Sequence, residues 1–274
     1  MTDPSTLRLG DTTVSFVPDG VIQGRPAAWL PDSTDAFWAA HQEYLDASGY
    51  LVASVGGLLV EHGDRALLID AGFGPHTLPS DPATPNGAMR GGDLPASLAA
   101  LGRTPDSIEA VAFSHLHPDH TGWATHERLF ARAAYLVAEP EWAAREADDG
   151  LDALAPHVRT MADGQEIFPG VRVRVTAGHT AGHAEFVITG GGERLIAFGD
   201  SLHSPVQVDR PDWSCVYDHD PAASAEHRRR LVAELAEPGT LAFGVHFADA
   251  VFGRVVPDGD GPAWRPLGTA DGLA

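Results

Sequence analysis

Apolar positions along this chain come in short runs, and several runs alternate with polar residues at the period of two that marks a half-buried strand. Residues 7–17 read as a strand, with Asp19-Gly20 as a turn behind it. Two further apolar strands are expected at about 51–60 and 65–69, joined by a hairpin turn at His62-Gly63-Asp64. The run from Val171 to Thr176 alternates Val with Arg, and Gly190-Gly191-Gly192 forms a turn between strands at Glu185–Thr189 and Leu195–Phe198. Shorter apolar runs, Ala110–Ser114, Ala134–Ala138 and Leu241–Val245, complete the strand set. Helices are predicted at 35–47 with Ser33 or Thr34 as the cap, at about 94–102, from Pro140 to about Asp148, and over 221–236 ahead of Pro238-Gly239. Helix or loop follows His120, residues 72–93 read as a long Gly- and Pro-rich loop of the kind that often carries function, and Gly and Pro punctuate the tail to Ala274. No internal repeat and no linker interrupts the chain, so residues 1–274 are expected to form one domain of sheets with helices packed outside.

Composition narrows the function classes. With 43% hydrophobic and 20% charged residues, the chain can bury a sizeable core. The formal net charge of -20 argues against nucleic acid or an anionic membrane as partner. No apolar run approaches the roughly 20 residues that a membrane span needs. The segment Met1–Gly10 lacks the basic-then-apolar pattern of a signal peptide, so a cytoplasmic protein is expected. The single cysteine, Cys215, excludes an intrachain disulfide and a zinc site of the thiolate finger type. All 18 basic residues are arginine, which removes lysine general bases, Schiff-base chemistry and the phosphate-binding Walker lysine.

The 14 histidines matter through their placement. Ala110–Ser114 runs directly into His115-Leu116-His117-Pro118-Asp119-His120, Val171–Thr176 leads to His179, Leu195–Phe198 leads to Asp200, and Leu241–Val245 leads to His246. In sheet folds, sites gather where the carboxyl ends of strands converge on one edge, so four strands delivering His or Asp there is what a metal cage requires. Within the first run, extended residues alternate in direction, which lets His115 and His117 face one way; Pro118 then turns the chain, and Asp119 and His120 can face a second position. A carboxylate between the two clusters can bridge two ions, and Asp200 is the candidate. Neutral imidazole with carboxylate suits zinc, manganese, iron or cobalt rather than calcium or magnesium. His41, His62, His76, His126, His157, His219 and His227 are read as ordinary structural histidines, and His227-Arg228-Arg229-Arg230 as a solvated helix face.

The run 115–120 resembles the HxHxDH signature of the metallo-β-lactamase superfamily. Gly178-His179-Thr180-Ala181-Gly182-His183 resembles its GHTxGH motif, Phe198-Gly199-Asp200-Ser201-Leu202 its GD-[ST]-L motif, and Leu67-Leu68-Ile69-Asp70-Ala71-Gly72 its IDTG segment, with His246 at the place of the last histidine. The resemblance covers about 50–250. It implies an α/β fold, an αβ/βα four-layer sandwich with two central mixed sheets flanked by helices and the metals at one edge. It further implies that His115, His117 and His179 hold one ion, that Asp119, His120 and His246 hold the second, that Asp200 bridges, and that His183 orients its loop instead of ligating. Asp70 is implied to hydrogen-bond beside the histidine loop. Ser114 stands where the motif usually has threonine and keeps the hydroxyl. Asp200 stands where many true β-lactamases have cysteine, which argues against antibiotic hydrolysis as the primary activity.

The subgroup that this chain is most similar to, on Asp200–Gln207 and the tail from His246 through Phe252-Gly253 to Trp264, contains methyl parathion hydrolase and acyl-homoserine lactonases. A hydrolase is therefore expected in which two divalent metals, zinc ahead of manganese, iron or cobalt, hold a bridging hydroxide that attacks a lactone or ester, or a phosphotriester. Asp119 is expected to orient the hydroxide or take a proton, and His203, three residues after Asp200 where lactonases of this family often place a tyrosine, to donate to the substrate. The aromatics Trp29, Phe37, Trp38, Tyr44 and Tyr50 make segment 24–50 a candidate pocket wall, with Phe73 and Trp123 nearby. A small-molecule substrate is expected, and a homodimer is compatible with the sequence. The alternatives are a thioesterase on an acyl thioester or carrier-bound chain, and a non-hydrolytic di-iron or metal-binding protein of the same fold.

Overall fold

The computed structural model describes residues 4–126, 129–145, 150–259 and 261–274. Two mixed sheets form its centre. The first is nine-stranded and contains β1 (Ser5–Leu9), β2 (Thr12–Gly24), β3 (Leu51–His62), β4 (Arg65–Ile69), β5 (Thr77–Leu78), β6 (Asn86–Arg90), β7 (Ala110–Ala112), β8 (Ala134–Ala138) and β9 (Val158–Met161). Its order is β5-β6-β2-β3-β4-β7-β8-β9, with β1 paired to β2; the run β4-β7-β8-β9 is parallel and the other pairings are antiparallel. The second sheet is seven-stranded, in sequence order from β10 (Glu166–Phe168) through β11 (Val171–Val175), β12 (Ala184–Gly190), β13 (Glu193–Ala197), β14 (Thr240–Phe243) and β15 (Phe252–Asp258) to β16 (Gly261–Pro266). Only β13 and β14 run parallel there.

The period-two pattern explains which faces meet. Val171 and Val173 of β11 are buried and Arg172 between them is exposed. Such inward positions from both sheets, among them Phe16, Leu58, Leu67, Phe186, Leu195 and Phe243, form one core between the sheets. The outer face of the first sheet packs on the helices α3 (Leu94–Ala100) and α4 (Pro118–Thr125) through Leu94, Leu98, Trp123 and Ala124. The outer face of the second packs on the helix Pro221–Leu235 through Leu231, Val232 and Leu235. Helix, sheet, sheet, helix is thus the layer order, as the resemblance implied.

Several boundaries differ from the sequence expectation. The first apolar run is a hairpin, not one strand, and Asp19-Gly20 is no turn: it lies inside β2, where the register with β3 shifts between Pro18 and Gly20. Five donors around the buried Asp19 carboxylate, the N–H groups of Phe73, Gly74, Gly92 and Leu94 and the Trp123 indole, replace the solvation a turn would have given it. The helix expected over 35–47 is a six-residue α2 (Asp35–Ala40), capped by Thr34, after a four-residue α1 (Pro26–Trp29); a 3-10 turn follows at Gln42–Tyr44. Aromatic packing, more than helical hydrogen bonding, orders this stretch: the rings of Trp213, half-buried Phe37 and buried Trp38 contact one another. The loop 72–93 contains β5 and β6, and the tail contains β15 and β16. The helix α5 spans Glu139–Ala144, and its expected end at Asp148 lies outside the described residues. After it come only α6 (Val206–Asp209) and α7, the helix Pro221–Leu235, among the described residues. None of the described helices is long and apolar enough to cross a membrane.

Candidate metal centre

Every residue that the sequence proposed for the cage comes to one edge of the sandwich. His115 and His117 follow β7, Asp119 and His120 open α4, His179 follows β11, Asp200 follows β13, and His246 follows β14. Pro118 at the first helical position lets α4 begin immediately after His117, since proline has no N–H to leave unpaired there. One group of donor atoms comes from His115, His117, His179 and Asp200 and a second from Asp119, His120 and His246; within each group the atoms lie within 4.8 Å of one another. His115 Nε2 stands 2.9 Å from His117 Nδ1, and His179 Nε2 stands 3.2 Å from that same His117 atom.

Asp200 lies between the groups. Its Oδ2 is 3.7 Å from His115 Nε2 and 3.4 Å from His179 Nε2, while its Oδ1 is 3.2 Å from His120 Nε2 and 3.1 Å from His246 Nε2. Asp119 Oδ2 is 3.6 Å from both His120 Nε2 and His246 Nε2. Burial alone would push the Asp200 carboxyl up, but the surrounding histidines, His246 and His120 foremost, hold it well below the ordinary carboxylate range. Two buried atoms of this set, His120 Nε2 and Asp200 Oδ1, have no hydrogen-bond partner. Orphaned polar atoms inside a protein call for a ligand, and three imidazole nitrogens converging at hydrogen-bond distance, with carboxylate beside them, are the donor set of divalent transition metals. The residues therefore fit a pair of such ions.

In four of the five histidines the nitrogen turned away from this centre is held. His120 Nδ1 lies 2.9 Å from Asp70 Oδ2, His179 Nδ1 2.9 Å from Asp218 Oδ1, and His246 Nδ1 2.9 Å from the Ser54 carbonyl; His115 Nδ1 is 3.1 Å from Ser114 Oγ. A proton on Nδ1 donated outward leaves Nε2 as the inward lone pair, the tautomer a metal requires. Asp70 also accepts from the Ser114 backbone N–H and hydroxyl, both at 2.8 Å, and sits at φ 61°, a strained conformation for a residue with a Cβ. Burial, with His120 nearby, pulls His115 well below the ordinary histidine range; burial also lowers His117 and takes His179 down to about 4. All three are neutral at pH 7. His120 goes the other way: burial opposes its charge, but Asp200, Asp119 and Asp70 outweigh it and raise its pKa.

His183 serves the loop, not the cage. Its Nε2 accepts from the Asp200 backbone N–H at 3.0 Å, and its Nδ1 meets Thr176 Oγ1 at 2.9 Å. The approach is close enough that Gly199 (φ +50°) has no room for a side chain: a Cβ there would stand 2.7 Å from His183 Nε2. His203 is buried, with Nε2 3.2 Å from Asp200 Oδ2 and its ring stacked parallel to that of His246 at 5.9 Å. Neither His203 nitrogen makes a well-formed hydrogen bond. Burial works against charge on this ring, but the Cys215 sulfur and the Asp200 carboxylate beside it raise its pKa well above the ordinary value.

Beside the cage opens a cleft of about 660 Å³, within the range of small-molecule sites. Phe73, Leu116, His117, Thr121, His179 and Tyr217 line it. Phe73 is there as expected, but Trp123 is not; it is buried against Asp19. None of the aromatics Trp29, Phe37, Trp38, Tyr44 and Tyr50 lines this cleft, contrary to the expectation; Trp29 packs edge-on to both His203 (6.4 Å) and Tyr217 (6.5 Å), and its Nε1 donates to Asn86. Two of the histidines read as ordinary, His76 and His219, line the cleft.

Sequence reading missed the residues that hold the cage from behind. Glu141 at the start of α5 accepts from Leu116 N (3.0 Å), Thr180 Oγ1 (2.7 Å) and Gly182 N (2.8 Å), and so ties the loop of His115 and His117 to the loop of His179. It lies just past the end of β8, so the strand-end rule that found the other residues also points to it. Asp218 follows no strand and gives no such signal. The basic run on α7 is a solvated face only in part: Arg229 and Arg230 are exposed, but Arg228 is fully buried and His227 Nε2 meets the buried Glu185 at 2.6 Å, because the stripe Ser224, Arg228, Leu231 and Leu235 faces inward at helical spacing.

The profile of the Metallo-beta-lactamase superfamily matches residues 57–244, and the chain belongs to that superfamily. Among solved structures it is similar to AidC, a dizinc quorum-quenching lactonase in complex with a product N-hexanoyl-L-homoserine, at 22% identity and a TM-score of 0.83 over 97% of this chain and 98% of that one. It is similar to the hydrolase AbOPH of the beta lactamase superfamily at 24% identity and a TM-score of 0.82, covering 98% of each chain. A probable metal-dependent hydrolase from Staphylococcus aureus aligns at 20% identity and a TM-score of 0.82 over 95% of this chain and 99% of that one. None of the curated proteins compared matches the chain.

Proposed function

We propose that this protein is a dinuclear metal hydrolase that opens lactones or cleaves carboxylic esters of small molecules, with phosphotriesters as a further substrate class. The observation that carries the reading is Asp200, whose two carboxylate oxygens face two different histidine groups. His115, His117 and His179 would hold one ion, Asp119, His120 and His246 the other, and Asp200 both; zinc is the first choice for this nitrogen and oxygen donor set. When bound, a pair of divalent ions supplies an acidified water as nucleophile at neutral pH and a Lewis acid for the substrate oxygen. The similarity to AidC, a lactonase with a product bound, supports the substrate class.

The chain's own residues supply the rest. The cleft admits the substrate beside His117 and His179, with Phe73 and Leu116 as apolar walls and the Tyr217 ring at the rim. Asp119, partly exposed on the second group, is placed to accept a proton from the attacking water. His203 projects Nε2 toward Asp200 Oδ2 at 3.2 Å without making a well-formed hydrogen bond there, which suits it to donate to a substrate oxygen on which charge develops. Ring opening then leaves one carboxylate and one alcohol, the alcohol oxygen taking the proton.

A panel of lactones, aryl esters, phosphotriesters and acyl thioesters, offered to zinc-loaded protein, tests the reading. Turnover of lactone or ester, lost on chelation, is the expected result. Turnover of thioester alone would replace the reading by a thioesterase.

A further inference from the structure

Arg228 is a guanidinium with no exposed surface in a chain of net charge -20, and all its donor nitrogens are engaged. Nε donates to the Pro211 carbonyl at 2.8 Å, Nη2 to Ser214 Oγ at 2.6 Å, and Nη1 to Asp218 Oδ2 at 2.9 Å. The other Asp218 oxygen faces His179 Nδ1 at 2.9 Å, and the Cys215 N–H donates to Oδ2 at 3.2 Å. The backbone is clipped to the same loop: His219 N–H donates to the His179 carbonyl at 3.0 Å and Asp220 N–H to the Gly178 carbonyl at 2.8 Å. A rigid planar fork reaching three acceptors in three directions is a task for arginine and not for a point-charge ammonium.

We propose that Asp218 and Arg228 form a buried pair that positions His179 for metal binding. The inference rests on the reading of His179 as a residue that holds an ion. Asp218 accepts a hydrogen bond from Nδ1–H, which keeps the proton on Nδ1 and aims the Nε2 lone pair inward; Arg228 holds Asp218 in place and ties it to segment 211–218. The other anchored histidines do not depend on this pair. His120 uses Asp70 and His246 uses the Ser54 carbonyl, so the effect belongs to one of the two ion positions.

Zinc titration of metal-free protein against a chelating dye reads the two positions separately. The double variant Asp218→Asn/Arg228→Met strands no buried charge, and it is expected to weaken one zinc equivalent by roughly 10–100-fold while the other keeps its affinity. Ser214→Ala, at a partly exposed position, removes one anchor of the fork without touching a charge and is expected to weaken the same equivalent by a smaller factor. The unfolding midpoint of each metal-free variant checks that the fold persists; if the double variant does not fold, Ser214→Ala and Arg228→Lys decide. Unchanged affinity at both positions, or an equal loss at both, overturns the proposal. Variants that lose zinc as expected, in a protein that hydrolyses nothing on the panel, would refute the proposed function and leave this inference standing; unchanged affinities in an active hydrolase would do the reverse.

Discussion

Trp123 donates its indole N–H to Asp19 Oδ1 at 2.7 Å, a bond between residues 104 positions apart. The same carboxylate accepts the backbone N–H groups of Phe73, Gly74, Gly92 and Leu94, at 2.7–3.1 Å. One side chain on β2 therefore pins both ends of segment 73–94 and the helix α4 that carries Asp119 and His120. Gly72 (φ +60°) is packed so tightly beneath it that a Cβ would stand 2.5 Å from Asp19 Oδ2.

Removal of that acceptor leaves several buried donors unpaired. Asp19→Ala is expected to destabilise the metal-free protein by roughly 3–4 kcal/mol, read as a lower urea midpoint. Asp19→Asn retains one acceptor oxygen and is expected to cost less. A midpoint unchanged in both variants would show that the segment is held by other means.

Acid sensitivity follows from His183. Burial, with His179 nearby, lowers its pKa to about 3, and the Asp200 N–H bonded to Nε2 requires the neutral ring. The folded state thus binds a proton less readily than the unfolded chain, whose histidines titrate near 6.5. The stabilisation is present above pH 6.5 and is lost as pH falls through the interval from 6.5 to about 3. His179, at about 4, acts in the same direction. Chemical unfolding of metal-free protein at stepped pH is expected to show stability falling across that interval, with a shallower slope in His183→Gln.

His203→Ala is expected to lower kcat by roughly 10²-fold with a smaller change in KM, because the hydrogen bond it offers strengthens only as charge develops on the substrate oxygen. Steady-state kinetics on a lactone and an aryl ester check it. Unchanged kcat and KM would remove His203 from the mechanism.

The parts legible in the sequence were those written into local order. Three histidines and an aspartate in six residues after a strand, and single His or Asp residues after three more strands, specify a shared edge, because the carboxyl ends of β7 in one sheet and of β11, β13 and β14 in the other meet there. The supporting residues were harder to read. Asp19 resembles a turn residue until its five donors, from three segments, are assembled around it. Asp218 lies in an irregular segment, and its role exists only through Arg228 and His179, contributed by other elements. Arg228 belongs to a run of three arginines whose neighbours are solvent-facing, and only the helical phase against Leu231 and Leu235 separates it from them. The aromatic segment misled for a related reason: six helical residues sufficed because Phe37 and Trp38 are held by Trp213, far along the chain.

In the proposed function the two histidine groups, joined by Asp200, hold metals that drive hydrolysis. The most direct measurement is the rate of lactone opening by one preparation of protein, first metal-free and then titrated with zinc. Activity near zero without metal, rising to a plateau at two equivalents per chain and on the order of 10³-fold lower in Asp200→Asn, is the predicted result. A rate independent of zinc, or full zinc occupancy with no lactone, ester or phosphotriester turned over, would contradict it.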